Sequence, residues 1–440
     1  MNYSDLAALL SQSEKKNIYL RFSPDVFDFT DRDAAQEIHF FIQGNLNFSL
    51  LLTDQNLPIV ISMLKLSIFS KDNKFITWDW KSFVTYVVAK TGKPLHIDAA
   101  VIDLKVLELY AGQKNKSPDS LSEAMLRVKH LISSGIWKEV DAVYKNIHLP
   151  LMTTVLPHLE TSGILDTLAG AKVFAHYELN GQENGRLLCF NAFKNGFVPH
   201  AMKPETRESL KPRNYDELFL NFDFKGMEVF VLAWLSKDPL LQELCASDDV
   251  YTGLYSHLFG VVPNNKNDRE LVKKSFLPVI YGQSAYSLSQ RSGIAIDLAE
   301  KVVERISSLF STAFSFVLSY QEQLKQNGFV KDIFGKRRYN FESGKEYLVR
   351  NFCIQAPAAT ICLEKLIHLY FALKDKTDLA YTVHDGYFVY ANKKNWQEIF
   401  KIGTEILTSE SDLCPGLRLK IACRGGRNLN NLKPLARKGE

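Results

Sequence analysis

The chain is 440 residues long, 46% apolar and 23% charged, with a formal net charge of +4 at pH 7. That length holds two or three domains with ample core, and the composition is that of an ordinary globular protein. So small a net charge excludes a uniformly basic surface, and any nucleic-acid footprint has to come from local patches.

Cys189, Cys245, Cys353, Cys362, Cys414 and Cys423 are scattered, with no CxxC and no zinc spacing. They fit reduced core residues of a cytosolic protein. The opening MNYSDLAALLSQSEKK is not a signal peptide, and no apolar run approaches ~18 residues. The expectation is a soluble, cytoplasmic protein without a membrane partner.

Residues 17–110 read as β-rich, with the short apolar runs IYLRF, HFFIQ, FSLLLT and IVISMLKLSIF. FITWDWKSFVTYVVAK follows with a helical second half, and IDAAVIDLKVLELYAG reads as a strand or a helix. SLSEAMLRVKHLI is helical, as is the whole of 122–164, with Gly163 placed to cap its end. Between Ile164 and Gly185-Arg186-Leu187 lie only about twenty residues, and half of them, AKVFAHYELN, read as a β-run. Lys203, Arg207, Lys211 and Arg213 then form a basic run, which is either a solvated face or a phosphate contact.

The stretch LFLNFDFKGMEVFVLAWL, 218–235, organises the rest. Leu218, Leu220, Phe222 and Phe224 fall on one face of a strand, and Phe219, Asn221 and Asp223 on the other. After Lys225-Gly226 the pattern becomes a buried apolar helix. Asp223 is therefore an acid at the end of a buried strand, with Glu228 in the first turn of the next helix. By itself this is equally a solvated acid and a glutamate favoured by the helix dipole.

Further on, Asp238 or Ser236 caps a helix with Pro239 near its first position. In RELVKKSFLPVIYG, 269–282, Arg269, Lys273, Leu277 and Tyr281 recur every four residues on one side of a helix, and Pro278 should kink it. Cations followed by an aromatic suit a triphosphate that stacks its base on the protein. Residues 297–327 read as long helices, and GFVKDIFGKRRYNF carries Lys331, Lys336, Arg337 and Arg338, facing phosphates or water. In LAYTVHDGYFVYA, 379–391, two β-runs meet at His384-Asp385-Gly386, a hairpin with its acid at the turn. Two strand-end carboxylates from distant parts of a chain suit two Mg²⁺ ions, with Mn²⁺ as a substitute. Such a pair, about 3.5–4 Å apart, can activate a hydroxyl and stabilise the leaving oxygen of a phosphoryl transfer.

Asp223-Phe-Lys-Gly-Met-Glu228, the Arg269…Lys273…Tyr281-Gly282 helix and Val383-His384-Asp385 resemble motifs A, B and C of family A DNA polymerases. Arg350-Asn351-Phe-Cys-Ile-Gln355-Ala-Pro-Ala-Ala359 resembles the stretch between B and C, and LRLKIACRGGRNLNNLKP the closing strand and tail. The resemblance covers 146–440 well and the first 145 residues weakly. It implies an α+β fold: an antiparallel palm (165–238 and 340–440), helical fingers (239–339), a minimal or absent thumb, and a ribonuclease-H-like exonuclease-like domain over 1–145. The short lengths are similar to those of phage or plasmid enzymes working in a bacterial host.

By that resemblance Asp223, Asp385 and the Phe224 carbonyl hold the metals, and Arg269 and Lys273 hold the triphosphate, with Lys273 protonating the leaving pyrophosphate. Glu228 is the steric gate against a ribose 2′-hydroxyl, Leu277 lies against the sugar, and Tyr281 gates the templating base. Arg186, Asn351, Gln355, His384, Lys336, Arg337 and Arg338 touch primer-template DNA.

Departures are Gly386 where a glutamate is frequent, Leu277 for an aromatic, Tyr347 for an arginine, and Asp249-Val-Tyr251 near where a histidine is usual. Tyr251 either donates a hydrogen bond or simply packs. The exonuclease's Asp-x-Glu has no counterpart, and Phe83 stands where a later acid is expected. Asp98 or Asp103 is then a remaining echo in an inactive domain. The implied activity is template-directed DNA synthesis from dNTPs, in replication, with a processivity partner or self-association in place of the thumb. A single-subunit RNA polymerase and a non-catalytic DNA-binding subunit are the alternatives.

Overall fold

The computed structural model describes residues 17–435 except 24–27, 31–35, 43–45, 64, 66–73, 96–99, 340 and 342–347. Asp98 and Tyr347 lie outside the described residues.

The N-terminal part is a five-stranded mixed sheet. Its strand order is Leu46–Leu52, Gln36–Ile42, Asn17–Ser23, Lys74–Thr77, Ala100–Asp103. The first three strands are antiparallel, and Lys74–Thr77 runs parallel to both of its neighbours. Alternation in Asn17–Ser23 sends Ile18, Leu20 and Phe22 into a core where Phe22 stacks on Phe83 at 5.0 Å. Part of the run expected to be β-structure, Leu57–Met63, is instead helical. Thr53 and Asn56 bond reciprocally at 2.8 and 3.2 Å ahead of it, turn chemistry that starts a helix and outweighs β-propensity.

The helical passage contains Leu121–Ser133 and then a nearly unbroken helix from Ile136 to Ser162. It widens into two π segments, Tyr144–His148 and Leu151–Val155, on either side of Leu149-Pro150, because a proline cannot donate to the ladder. Gly163 follows directly as the cap. A three-stranded sheet formed by Ile164–Asp166, Ala171–Val173 and Leu210–Lys211 comes next, and then the hairpin of His176–Glu178 with Leu188–Phe190. Among the described residues no helix lies between Ile164 and Arg186.

Buried charge joins the two parts of the molecule. Lys81 Nζ lies 2.6 Å from Glu160 Oε1, Thr85 donates to the other oxygen at 2.9 Å, and the Tyr177 N–H donates to Oε1 at 2.7 Å. Lys105 bridges Asp79 at 2.8 Å and Glu178 at 2.6 Å.

The palm is an antiparallel sheet ordered Leu379–Val383, Gly386–Asn392, Glu217–Phe224, Ile421–Gly426, Lys433–Leu435. The helices Val349–Leu373 and Trp396–Thr408 pack together beside it, and a Cβ at Gly403 would overlap the Phe222 ring. The fingers are built from the helices Val250–Phe259, Lys266–Ile280, Ala285–Ser292, Ile296–Leu309 and Ser311–Asn327. Though interrupted by Arg350, Glu364 and Lys365, the helix Val349–Leu373 is long and apolar enough by length and composition to cross a membrane. Its side chains are mostly buried against neighbouring elements of this fold, as in a core helix.

Candidate active site

The change of period at Lys225-Gly226 builds the first half of the site. Glu217–Phe224 is a strand, and the helix Met227–Ser236 starts after Gly226, whose φ is 68°. A Cβ there would approach the Tyr251 hydroxyl to 3.2 Å, and Tyr251 itself is buried. The hairpin supplies the second half. Asp223 pairs in register with Gly386, next to Asp385, and the Phe224 N–H donates to the Asp385 carbonyl at 3.3 Å. His384 adopts φ 52° at this turn, a conformation histidine tolerates better than most residues. Thus two acids 162 positions apart come to neighbouring strand ends.

The carboxyl groups face a cleft of about 690 Å³ also lined by Arg186, Phe224, Glu228, Arg269, Lys273 and Leu277. Asp223 is open to this cleft yet surrounded by protein. Burial, and next the charge of Asp385, push its pKa up to about 6. Asp385 is also raised, chiefly by burial. The two carboxylates are hard oxygen donors set close enough to repel, a donor set that fits Mg²⁺. Phe224 lines the cleft beside them.

On the fingers wall, the helix Lys266–Ile280 runs through Pro278 without a break. Arg269 is held by Asp249 through Nε at 2.5 Å and Nη2 at 2.9 Å, and its guanidinium lies 5.2 Å from the Tyr251 ring centre. Asp249 sits below the usual carboxylate range: burial opposes this, and the Arg269 hydrogen bonds outweigh it. Lys273 is half-exposed, its ammonium 3.9 Å from Glu270. Leu277 is partly buried against the core.

Glu228 is not a lone helix-start acid. Arg186 Nη2 is 2.7 Å from its Oε1, and the Tyr281 hydroxyl donates to Oε2. Asn184 donates to Gln355 at 3.3 Å, and the His384 ring stacks 6.0 Å from that of His200. Asn351 Oδ1 is buried with no protein partner among the described residues.

The basic segment differs from expectation. Lys336 faces neither phosphate nor water: it is buried, 3.3 Å from Asn180 Oδ1, with its ammonium over the Tyr110 ring. Burial lowers its pKa against the pull of Asp332. Arg337 pairs with Glu139 at 2.7 Å, and Arg338 pairs with Glu183. In the run before motif A, Arg213 is taken up by Glu217 and Asp378 and lies over the Tyr390 ring. Asp103, the echo of a nuclease acid, is buried and accepts from the Trp80 and Val106 N–H groups at 2.6 and 3.1 Å. Its oxygens cap a helix.

Sequence reasoning missed His200, Lys225, Asp249 as the partner of Arg269, and Arg424, all lining the cleft. The alternation in IACRGG puts Ala422 and Arg424 on one face, but nothing in the sequence says that this strand lies beside Asp223.

The family model for DNA polymerase family A matches residues 139–431. DNA polymerase I of Chloroflexus aurantiacus is 28% identical over 233 residues, covering 50% of this chain and 24% of that protein. The thermostable DNA polymerase I of Thermus aquaticus is 26% identical over 218 residues, covering 46% and 26%. The chain thus matches about a quarter of the length of these curated relatives. The POL domain of Pol1 from M. smegmatis, solved in complex with DNA primer-template and dNTP, superposes with a TM-score of 0.77. That likeness covers 98% of this chain and 99% of that one at 15% identity, and it concerns the fold. On the match over 139–431, the chain belongs to DNA polymerase family A.

Proposed function

We propose that the chain is a template-directed DNA polymerase, adding dNTPs to a primer 3′ end during DNA replication. The observation that carries this is the register of Asp223 with Gly386, which brings Asp223 beside Asp385 across a cleft from Lys273 and Arg269. In the reaction the primer 3′-oxygen bonds to the α-phosphorus and the bond from that phosphorus to the α–β bridging oxygen breaks. Pyrophosphate departs with the electron pair, and the hydroxyl proton passes to solvent.

Asp223, Asp385 and the Phe224 carbonyl would hold two Mg²⁺ ions, which supply charge to activate the hydroxyl and to neutralise the leaving oxygen. Lys273 meets the polyphosphate and can return a proton to it. Glu228, held between Arg186 and Tyr281, crowds the ribose 2′ position. That favours DNA over RNA synthesis. Arg186, Gln355 and His384 face the primer-template, a ligand that the solved Pol1 domain holds together with dNTP.

Residues 1–145 act as a scaffold without nuclease activity, since Phe83 is packed in the core and Asp103 is a buried cap. Among the described residues only short strands lie between Ile164 and Arg186, which supports the reading that the chain lacks the thumb's helical grip and works with a processivity partner or a second copy.

Primer extension by the purified chain tests all of this. dNTPs should extend the primer and rNTPs should not. A 3′-labelled mismatched primer without dNTP should stay intact, and a DNA trap should hold products to a few nucleotides. Absence of extension, or extension with rNTPs alone, would overturn the proposal.

A further inference from the structure

Among the described residues, Arg424 is one of the cleft's cations whose side chain has no partner. It lies in the strand Ile421–Gly426, paired in register with Asn221, while Ala422 pairs with Asp223. Residues opposite each other in an antiparallel pair share a face, as do residues two apart on one strand. Asn221, Asp223, Ala422 and Arg424 therefore occupy one face of the sheet, and Asp223, Ala422 and Arg424 line the cleft. Ala422 is too small to stand between the arginine and the carboxyl.

Three other cations of the cleft are committed elsewhere. Arg186 belongs to Glu228 and Arg269 to Asp249, and Lys420 donates to the carbonyls of Ala246 and Ser247. The guanidinium of Arg424 is exposed and has no hydrogen bond or ion pair with any described residue. Its charge does reach Asp223, which it pulls down against burial, and Lys273 does the same from the fingers. Arg424 on the palm and Lys273 on the fingers thus flank the same carboxylate, and Lys225 lines the cleft with them.

A cation on each wall beside the metal-holding acid is an arrangement for a polyanion between them. Of the two fingers cations expected to hold the triphosphate, Arg269 already carries a carboxylate. We propose that Arg424, with Lys225 on the far side of Asp223 along the same strand pair, is a positioning residue for the β- and γ-phosphates of the incoming nucleotide and for the pyrophosphate that leaves. The inference rests on the polymerase reading, and it assigns the palm sheet a share of the triphosphate grip. A guanidinium presents a rigid planar fork of N–H donors to two phosphate oxygens, a geometry that the rotating donors of an ammonium do not fix.

The test uses the full chain and three variants: Arg424→Ala, Arg424→Lys and Asp249→Asn. Steady-state extension gives KM for dNTP and the inhibition constant of inorganic pyrophosphate. Calorimetry with dATP and Mg²⁺ gives binding without requiring synthesis. Loss of one charge-assisted contact should raise KM, the pyrophosphate constant and the dATP dissociation constant each by about tenfold in Arg424→Ala. kcat and the affinity for primer-template should change far less. Arg424→Lys should recover part of the loss, and Asp249→Asn, by freeing Arg269, should lower KM.

If Arg424→Ala leaves all three constants unchanged, or weakens DNA binding in place of them, the assignment is wrong. If the wild-type chain makes no DNA but dATP binding still falls in Arg424→Ala, the polymerase reading fails and the polyphosphate site stands.

Discussion

Arg186 and Glu228 form an ion pair, 2.7 Å from Nη2 to Oε1, and the Tyr281 hydroxyl holds the other oxygen of the same carboxylate. Three elements meet on one side chain: the turn after Gly185, the first turn of the helix Met227–Ser236, and the end of the fingers helix Lys266–Ile280. A carboxylate held from two sides cannot swing away from a 2′-hydroxyl, so its position is rigid and its removal has more than one effect.

Glu228→Ala should admit ribonucleotides and also release Arg186 and Tyr281. Each charge-assisted bond is worth about 1.5–3 kcal/mol, so the ratio of kcat/KM for dNTP over rNTP should fall by at least about tenfold. Activity with dNTP should fall as well, because Tyr281 loses its anchor. An unchanged ratio would show that the carboxylate serves only to fasten the fingers.

Asp223 links the site to stability through pH. Its pKa is raised in the folded chain from 3.8 to about 6, so the native state favours the protonated acid. That contribution is fully present below about pH 4 and is lost as pH rises through about 6. Without divalent metal, Asp223→Asn should melt at the wild-type temperature at pH 4 and above it at pH 8. Added Mg²⁺ should stabilise the wild type and close the gap, because only the wild type binds it well. Equal melting temperatures at pH 8 in chelator would contradict a repelling pair.

Lys81 and Glu160 predict the other sensitive point. Replacing Lys81 by methionine leaves a buried carboxylate without its cation, a change that destabilises by about 3–5 kcal/mol. Adding Glu160→Gln should recover part of this, because glutamine still accepts from the Tyr177 N–H. Thermal melting of the single and double variants measures it. Additive losses would mean that the two residues do not act as a pair.

Much of the site is legible in the sequence because it rests on local rules. The change from period two to a helical run at Lys225-Gly226 places Asp223 at a strand end whatever surrounds it, and His384-Asp385-Gly386 reads as a turn on its own chemistry. The helix spacing likewise brings Arg269, Lys273 and Tyr281 to one side. What cannot be read depends on which element lies against which. Lys336 looks like its basic neighbours in GKRRY, yet the turn at Asp332 folds it inward. Arg424 reaches Asp223 only through a strand pairing that spans some 200 residues. Leu57–Met63 reads wrongly as a strand because its β-branched residues outvote a capping turn.

The two carboxylates carry the chemistry of this cleft. Asp223→Ala and Asp385→Ala should each keep primer-template affinity within about threefold of wild type, since each acid serves the metals and neither grips the duplex. Single-turnover extension with dNTP and Mg²⁺ should fall in each below about one per cent, the loss expected when metal-held charge stabilisation is removed. Extension by either variant at more than a few per cent of the wild-type rate would contradict the assignment of this cleft as the site of synthesis.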